Sequence, residues 1–420
     1  PALSPREAAS AGTIPVAKAH PWEFRKYCRA NAFGWRGSRL ACERLRTAVS
    51  ELRSVARHDP VVAGEGIVLL FERIWPAFQR IDTSSGALGT ATWHAIEELL
   101  PLLMEAPADL PARRRWMERL FEAVQEDGVD YLYQVQEAWG RLCVYPELID
   151  HWADQLLPMI RRAWSGRAHV VICPSSICLS CLLEAGRYEE LADLLALHQP
   201  FWPDHRFWAE ALKRQGRVEE AIQYAESLPT NDGYEHAMLA FCEAALLEAG
   251  REEEAYRRYG LYVRAETTYL NQFRALKKRY PGRDPRQMLL DLMAASGSAG
   301  DWFAAARQSG YLDIALHCAR SSVVNPKTLI AAARHTAREH PDFAAAVACR
   351  ALELILQGYG YEFTGSDVRE AVRYLVHAAR ATDQLEPMVH RLQAQAERSP
   401  SPFRTEIVGL LRRAGALALE

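Results

Sequence analysis

Three cysteines, Cys173, Cys178 and Cys181, are the residues whose types and spacing come closest to chemistry. Cys178 and Cys181 have the Cys-x-x-Cys spacing of a metal-ligand pair. Cys173 would be a third ligand, and Cys143, His151 or His169 could complete a tetrahedral zinc site. A zinc ribbon wants a second such pair, and the sequence has a single Cys-x-x-Cys. A three-residue spacing is also one face of a helix. A redox role would need a strand before the motif in a βαβ context, and the flanking sequence is helical. The expectation is therefore buried thiols with no cofactor. A metal-binding protein or enzyme around Cys173, Cys178 and Cys181 is one alternative, and elemental analysis for zinc discriminates it.

A second cluster is basic. Arg264, Arg274, Lys277, Lys278, Arg279, Arg283 and Arg286 are interleaved with Tyr269, Phe273 and Tyr280. Cations among aromatics are the composition of a nucleic-acid-binding surface, with Arg274, Lys277, Lys278 and Arg279 at its centre. The same pattern suits an amphipathic helix with Leu270, Phe273 and Leu276 turned inward. A third stretch, Asp82 to Gly89, has the look of a calcium loop. Its twelfth position is Trp93 rather than the bidentate glutamate that such a loop needs, so it reads as a turn and helix cap. The sequence has no His-Glu-x-x-His, no Gly-x-Ser-x-Gly elbow, no P-loop and no dinucleotide fingerprint, which favours a non-enzymatic protein.

The elements that must position these residues are helices. One phrase recurs at 182–191, 211–221 and 246–255, with turn glycines Gly186, Gly216 and Gly250 spaced 30 and 34 residues apart. Each copy ends an apolar helix at glycine, which closes a helix in the left-handed conformation without a side-chain clash. Arg187, Arg217 or Arg251 follows. Glutamates then occupy the first turn of the next helix, where exposed N–H groups favour negative charge. Leu191, Ala221 or Ala255 completes the phrase. A single hairpin cannot bury its apolar face, so hairpins of this period stack.

These residues, Gly186 to Leu191, Gly216 to Ala221 and Gly250 to Ala255, resemble the inter-helix phrase of the tetratricopeptide repeat. Leu191 replaces the family's usual alanine, and Val218 and Glu252 stand at its aromatic position. The whole-chain pattern also resembles uncharacterised bacterial helical-repeat proteins. The resemblance implies an all-α fold, an α-α superhelix of antiparallel hairpins, and a concave groove that holds a protein partner or peptide. By analogy with the family's inner helices, Trp208, Lys213, Arg214 and Phe241 would line that groove.

With 420 residues, 49% hydrophobic and 25% charged, the chain is long enough for several domains or one solenoid. A formal charge of -3 provides no global attraction to nucleic acid or anionic membrane. The nine cysteines are an odd number scattered through apolar patterns, which suits a reducing, cytoplasmic setting. No run of eighteen apolar residues suggests a membrane span, and the first twenty residues lack the pattern of a secretory signal. The abundant arginine and alanine suit helices and a GC-rich bacterial genome.

The domain expectation is a flexible arm at 1–20, an N-terminal helical domain at 21–165 and a repeat domain at 166–420. Ser165-Gly166-Arg167 marks the boundary, and Val170 to Cys173 is briefly strand-like. Apolar periodicity predicts helices over Ser38–Arg57, Val61–Arg80, Thr90–Leu103, Pro111–Glu126, Tyr131–Cys143 and Glu147–Trp164. Trp22 to Trp35 is expected to pack on the first of them, and Trp139, Trp152 and Trp164 belong to a core. Later helices follow Pro326, Pro341 and a Thr364 or Ser366 cap, and a last one from Pro402 closes the array.

Overall fold

The computed structural model describes residues 20–166, 174–229, 233–264, 268–360 and 363–416. Every regular element among the described residues is helical. Two units divide the chain, Pro1–Thr230 and Asn231–Glu420. The sequence suggested a boundary at Ser165-Gly166-Arg167 instead. The helices on both sides of that loop belong to the same unit, because α7 and α8, defined below, pack against each other.

The first unit contains α1 (Ser38–Ala56), α2 (Pro60–Phe78), α3 (Ala87–Glu105), α4 (Leu110–Glu126), α5 (Tyr133–Glu137), α6 (Trp139–Cys143), α7 (Pro146–Trp164), α8 (Ser175–Glu184), α9 (Tyr188–Leu195), α10 (Trp202–Arg214) and α11 (Val218–Ser227). Tyr131–Cys143 is two short helices rather than one, parted at Ala138. Helix starts follow local chemistry. The carboxylates of Asp59 and Asp109 accept from the backbone N–H of Val62 and Ala112 at 3.0 and 2.8 Å. Trp22 and Phe24 are buried ahead of α1, and the Trp22 ring lies where a Cβ on Gly66 of α2 would be, 2.3 Å away. Trp139, Trp152 and Trp164 are buried. Around Trp139, Leu45, Leu52, Phe71, Ile96, Leu120 and Leu182 belong to one continuous core.

Within this unit, helices bond to the helix two places on. The Cys42 thiol of α1 donates to the Ala87 carbonyl of α3, and Arg53 of α1 pairs with Glu98 of α3 at 2.9 Å. Both contacts join residues 45 apart, so α1 and α3 run parallel in one register. On the other side, Arg119 of α4 pairs with Glu72 of α2 at 2.6 Å, and the Trp116 ring of α4 covers Gly64 of α2. Ser180 of α8 accepts from the Gly140 backbone N–H of α6 at 3.0 Å. A Cβ at Gly140 would lie 2.5 Å from the Ser180 carbonyl, so only glycine permits this approach. Arg187 reaches Asp154 of α7 at 2.7 Å, and Arg214 of α10 reaches Glu184 of α8 at 2.8 Å.

The second unit contains α12 (Glu235–Glu248), α13 (Glu252–Ala255) running into a π turn at Tyr256–Gly260, α14 (Tyr269–Arg279), α15 (Pro285–Ser296), a 3₁₀ turn at Ala299–Trp302, α16 (Phe303–Gln308), α17 (Leu312–Ser321), α18 (Pro326–Thr336), α19 (Pro341–Leu356), α20 (Gly365–Arg380), α21 (Leu385–Ala396) and α22 (Arg404–Ala416). Thr364 forms the cap of α20, in a capping box with Asp367. The same pattern of bonding two helices on recurs. Arg286 of α15 pairs with Asp313 of α17, and Arg350 of α19 donates to the Ala319 carbonyl of α17 at 2.8 Å. Arg334 of α18 pairs with Glu370 of α20 at 3.1 Å, and Arg369 of α20 with Glu406 of α22 at 2.8 Å. Phe273, Leu289, Phe303, Leu329, Leu352 and Leu375 share its core.

The repeated phrase folds as its residues dictate. Gly186, Gly216 and Gly250 have φ of +68°, +78° and +73°. The N–H of the following arginine reaches back to Leu182, Leu212 or Leu246 at 2.9, 3.0 and 2.8 Å, the long bond of a Schellman turn. Each arginine then clamps the glutamate three residues on: Arg187–Glu190 at 2.6 Å, Arg217–Glu220 at 2.8 Å and Arg251–Glu254 at 2.9 Å. Gly310, which the sequence marks as parting helices at Asp301–Gln308 and Tyr311–Arg320, makes a further turn of this kind. Gly310 has φ +85°, and the Tyr311 N–H bonds the Ala306 carbonyl at 3.0 Å.

No atom stands within 4 Å of a Cβ built on Gly216, so alanine there meets strain rather than a clash. Gly216→Ala is expected to cost about 1–2 kcal/mol through the positive φ alone. Urea denaturation would check it, and an unchanged midpoint would rule out the strained turn.

Candidate functional site

Two helices that run parallel and touch along small residues leave a hollow above their line of contact. Cys42, Val49 and Ala95 are buried at the base of the space between α1 and α3, and Ala91 is half-buried. Arg39, Arg46 and Arg53 rise from α1 and Arg57 from the residue that ends it, with Ser50 and Ser54 between them. Thr90, His94 and Glu98 rise from α3. The result is an open groove of about 1180 Å³. The short side chains Ala87, Thr90, Ala91 and Ala95 of α3 leave it unfilled, and the inward faces of both helices are spent on the core through Leu45, Leu52, Leu88 and Ile96.

The electrostatics of the groove are lopsided, with four arginines against the one lining carboxylate, Glu98. Arg53 is occupied by Glu98 across the groove at 2.9 Å, and Arg39 by Glu43 on its own helix at 3.2 Å. The Arg46 Nε donates to the Cys42 carbonyl at 3.2 Å. Among the described residues, no carboxylate lies within ion-pair distance of Arg46 or Arg57. His94 faces Glu97 at 3.3 Å. The groove can attract and orient negative charge. Nothing in it has the nucleophile and base in contact that covalent catalysis requires.

The residues singled out in the sequence end in different places. Cys178 and Cys181 are buried free thiols on α8, and Cys181 shares a hydrogen bond with Cys143. Burial pushes Cys178 up to about 12 and raises Cys181 as well, away from the thiolate that binds zinc or attacks a substrate. His151 is exposed against Trp152. Cys173, His169 and the strand-like Val170 to Cys173 lie outside the described residues. Among the described residues, no group of three or more His, Cys, Asp or Glu side chains is placed to hold a metal. The Asp82 loop is a turn in which the Asp82 carboxylate accepts from the Ser84 N–H at 3.0 Å.

Trp208, Lys213 and Arg214 share α10, and Phe241 lies on α12 in the other unit. The charges of α10 are engaged within the unit. Lys213 pairs with Glu210 at 3.0 Å, and Arg214 is held by Glu184 at 2.8 Å and Glu210 at 3.2 Å. Trp208 packs against the core. In the basic segment, Arg279 is bound to the buried Glu243 at 3.0 Å, Arg283 to Glu253 and Arg286 to Asp313. Arg274, Lys277 and Lys278 remain exposed on α14. Three of the seven cations of the apparent basic patch are therefore neutralised by their own unit.

Sequence reasoning missed a buried polar cluster around α10. Glu137 pairs with Arg206 at 2.7 Å and accepts from the Tyr133 hydroxyl. Burial raises the Glu137 carboxyl, an effect that Arg206 opposes. His198 stacks on Trp164 and meets Asp204 at 3.2 Å. His205 Nδ1 faces the Tyr224 hydroxyl at 2.5 Å, and burial lowers its pKa. These residues are spread over 133–224, with no local spacing to announce them.

No helix among the described residues is long and apolar enough to cross a membrane. No protein-family model matches this chain, and none of the curated proteins matches it significantly.

Proposed function

We propose that the protein is a non-enzymatic adaptor, a tetratricopeptide-like superhelix of stacked hairpins that holds a segment of another protein along its row of first helices. Three features support the stacking: the repeated glycine–arginine turn, the arginine–glutamate clamp behind it, and the bonds within each unit that join several helices to the one two places on. The observation that carries the binding role is the open groove between the parallel helices α1 and α3. The buried free thiols suit a reducing compartment such as the cytoplasm. The alternative of a nucleic-acid binder has less support, because Arg279, Arg283 and Arg286 are already paired.

The test places a photoreactive amino acid at Ala91 in the groove, and at Glu118 on α4 as a control. After illumination in native cells, Ala91 should yield discrete adducts with a second polypeptide and Glu118 should not. Nuclease-sensitive adducts, or equal labelling from both positions, would overturn the reading.

A further inference from the structure

The lining of the α1–α3 groove has a register of its own. On α1 the lining runs over 38, 39, 42, 46, 49, 50, 53 and 54, a broad stripe within which 39, 42, 46, 49 and 53 keep the alternating three- and four-residue spacing of a coiled-coil seam. Two parallel helices that each turn such a stripe toward the same open space present the bed for a third helix. Arg39 to Arg57 spans eighteen residues of rise, about 27 Å, enough for five turns of an incoming helix. Arg39, Arg46 and Arg53 repeat every seven residues, and Cys42 and Val49 lie between them at the base.

From this geometry we infer that the groove binds an acidic amphipathic helix of a partner protein. Carboxylates repeated along the helix meet the arginines, and alanine- or valine-sized side chains meet the base. The chemistry on both lips selects for this ligand. The base is walled by the small side chains Cys42, Val49, Ala91 and Ala95. The four arginines against a single glutamate demand an anionic partner. A nucleic-acid strand fits less well, because stacking needs aromatic faces and the only ring in the lining is His94.

This inference rests on the adaptor reading, and its test separates the two. The probe is a fluorescein-labelled, 21-residue helical peptide of glutamate, alanine and valine. A glutamine-for-glutamate peptide and a polyuridine strand serve as comparisons. With the full chain, the acidic peptide should bind saturably, weaken as salt is raised, and lose at least tenfold in affinity in the double variant Arg46→Glu/Arg57→Glu. Because neither arginine pairs with a carboxylate among the described residues, the melting temperature of that variant should stay at the parental value. Three results would overturn the inference: no saturation by about 1 mM peptide, equal binding of the glutamine peptide, or polyuridine binding that falls with the same double variant. If the peptide fails while polypeptide adducts at Ala91 persist, only the acidic-helix chemistry falls. If the adducts are missing too, the adaptor reading falls with it.

Discussion

Arg113→Ala is expected to cost the first unit about 4 kcal/mol, because it strips donors from three backbone carbonyls and leaves a hole among them. Arg113 is 1% exposed and has no carboxylate partner. From the first turns of α4 its Nη1 donates to the Leu103 carbonyl at 2.7 Å and the Leu142 carbonyl at 3.4 Å, and its Nη2 to the Ala106 carbonyl at 2.5 Å. The guanidinium also lies 4.9 Å from the Trp116 ring. Leu103 and Ala106 belong to the end of α3, whose last carbonyls have no partner within the helix. One side chain thus caps α3 and ties it to α4 and α6.

Burial lowers the Arg113 pKa, which marks the cost of keeping the charge there. Lysine should rescue little, since its single ammonium cannot fork to carbonyls on separate elements. Ten of the eleven tryptophans lie in the first unit, so tryptophan fluorescence in urea reports on that unit. A loss below about 1 kcal/mol would show that water replaces the guanidinium without penalty.

The second large effect belongs to Glu243. This side chain is 3% exposed on α12 and accepts from the Tyr280 hydroxyl at 2.7 Å and from Arg279 Nε at 3.0 Å. A Cβ on Gly260 would lie 2.9 Å from the Glu243 carboxylate and 2.8 Å from the Tyr280 hydroxyl, so the π turn closes tightly over the pair. Glu243→Leu removes the acceptor and strands both donors. The expected loss is about 3 kcal/mol, the low end for breaking a buried ion pair, because Arg279 keeps 28% side-chain exposure. Glu243→Gln keeps an acceptor and should lose about half as much, which separates charge from hydrogen bonding. Hydrogen exchange of the α14 amides is the readout, since it isolates this part of the second unit. Protection in Glu243→Leu equal to the parent would mean that the pair contributes nothing.

Neither residue could be picked out in the sequence. Arg113 stands beside Arg114 and Arg115 at the head of a helix, and Glu243 shares α12 with Glu235 and Glu248. Burial sorts these triplets, and burial depends on which helix lies two places on. The same holds for the arginines of the groove. Arg39, Arg46, Arg53 and Arg57 look like the solvated face of an ordinary amphipathic helix until α3 lies parallel to it. The basic segment shows the reverse. Arg279, Arg283 and Arg286 read as free cations, and acids 36, 30 and 27 residues away neutralise them.

What the sequence determined by itself was local. The turns at Gly186, Gly216 and Gly250, the clamping glutamates behind them and the spans of the long helices all follow from interactions within about one turn to a few turns of chain, where glycine, caps and apolar period act directly. Gly310 is legible as a break between two short helices, but its turn lacks the arginine of the repeated phrase, and its acid, Asp313, pairs with Arg286 of another helix. Tertiary structure alone decided which charges are spent and which stay available. Those outcomes depend on pairings across some 27 to 45 residues, and such pairings exist only once helices far apart in the chain have packed together.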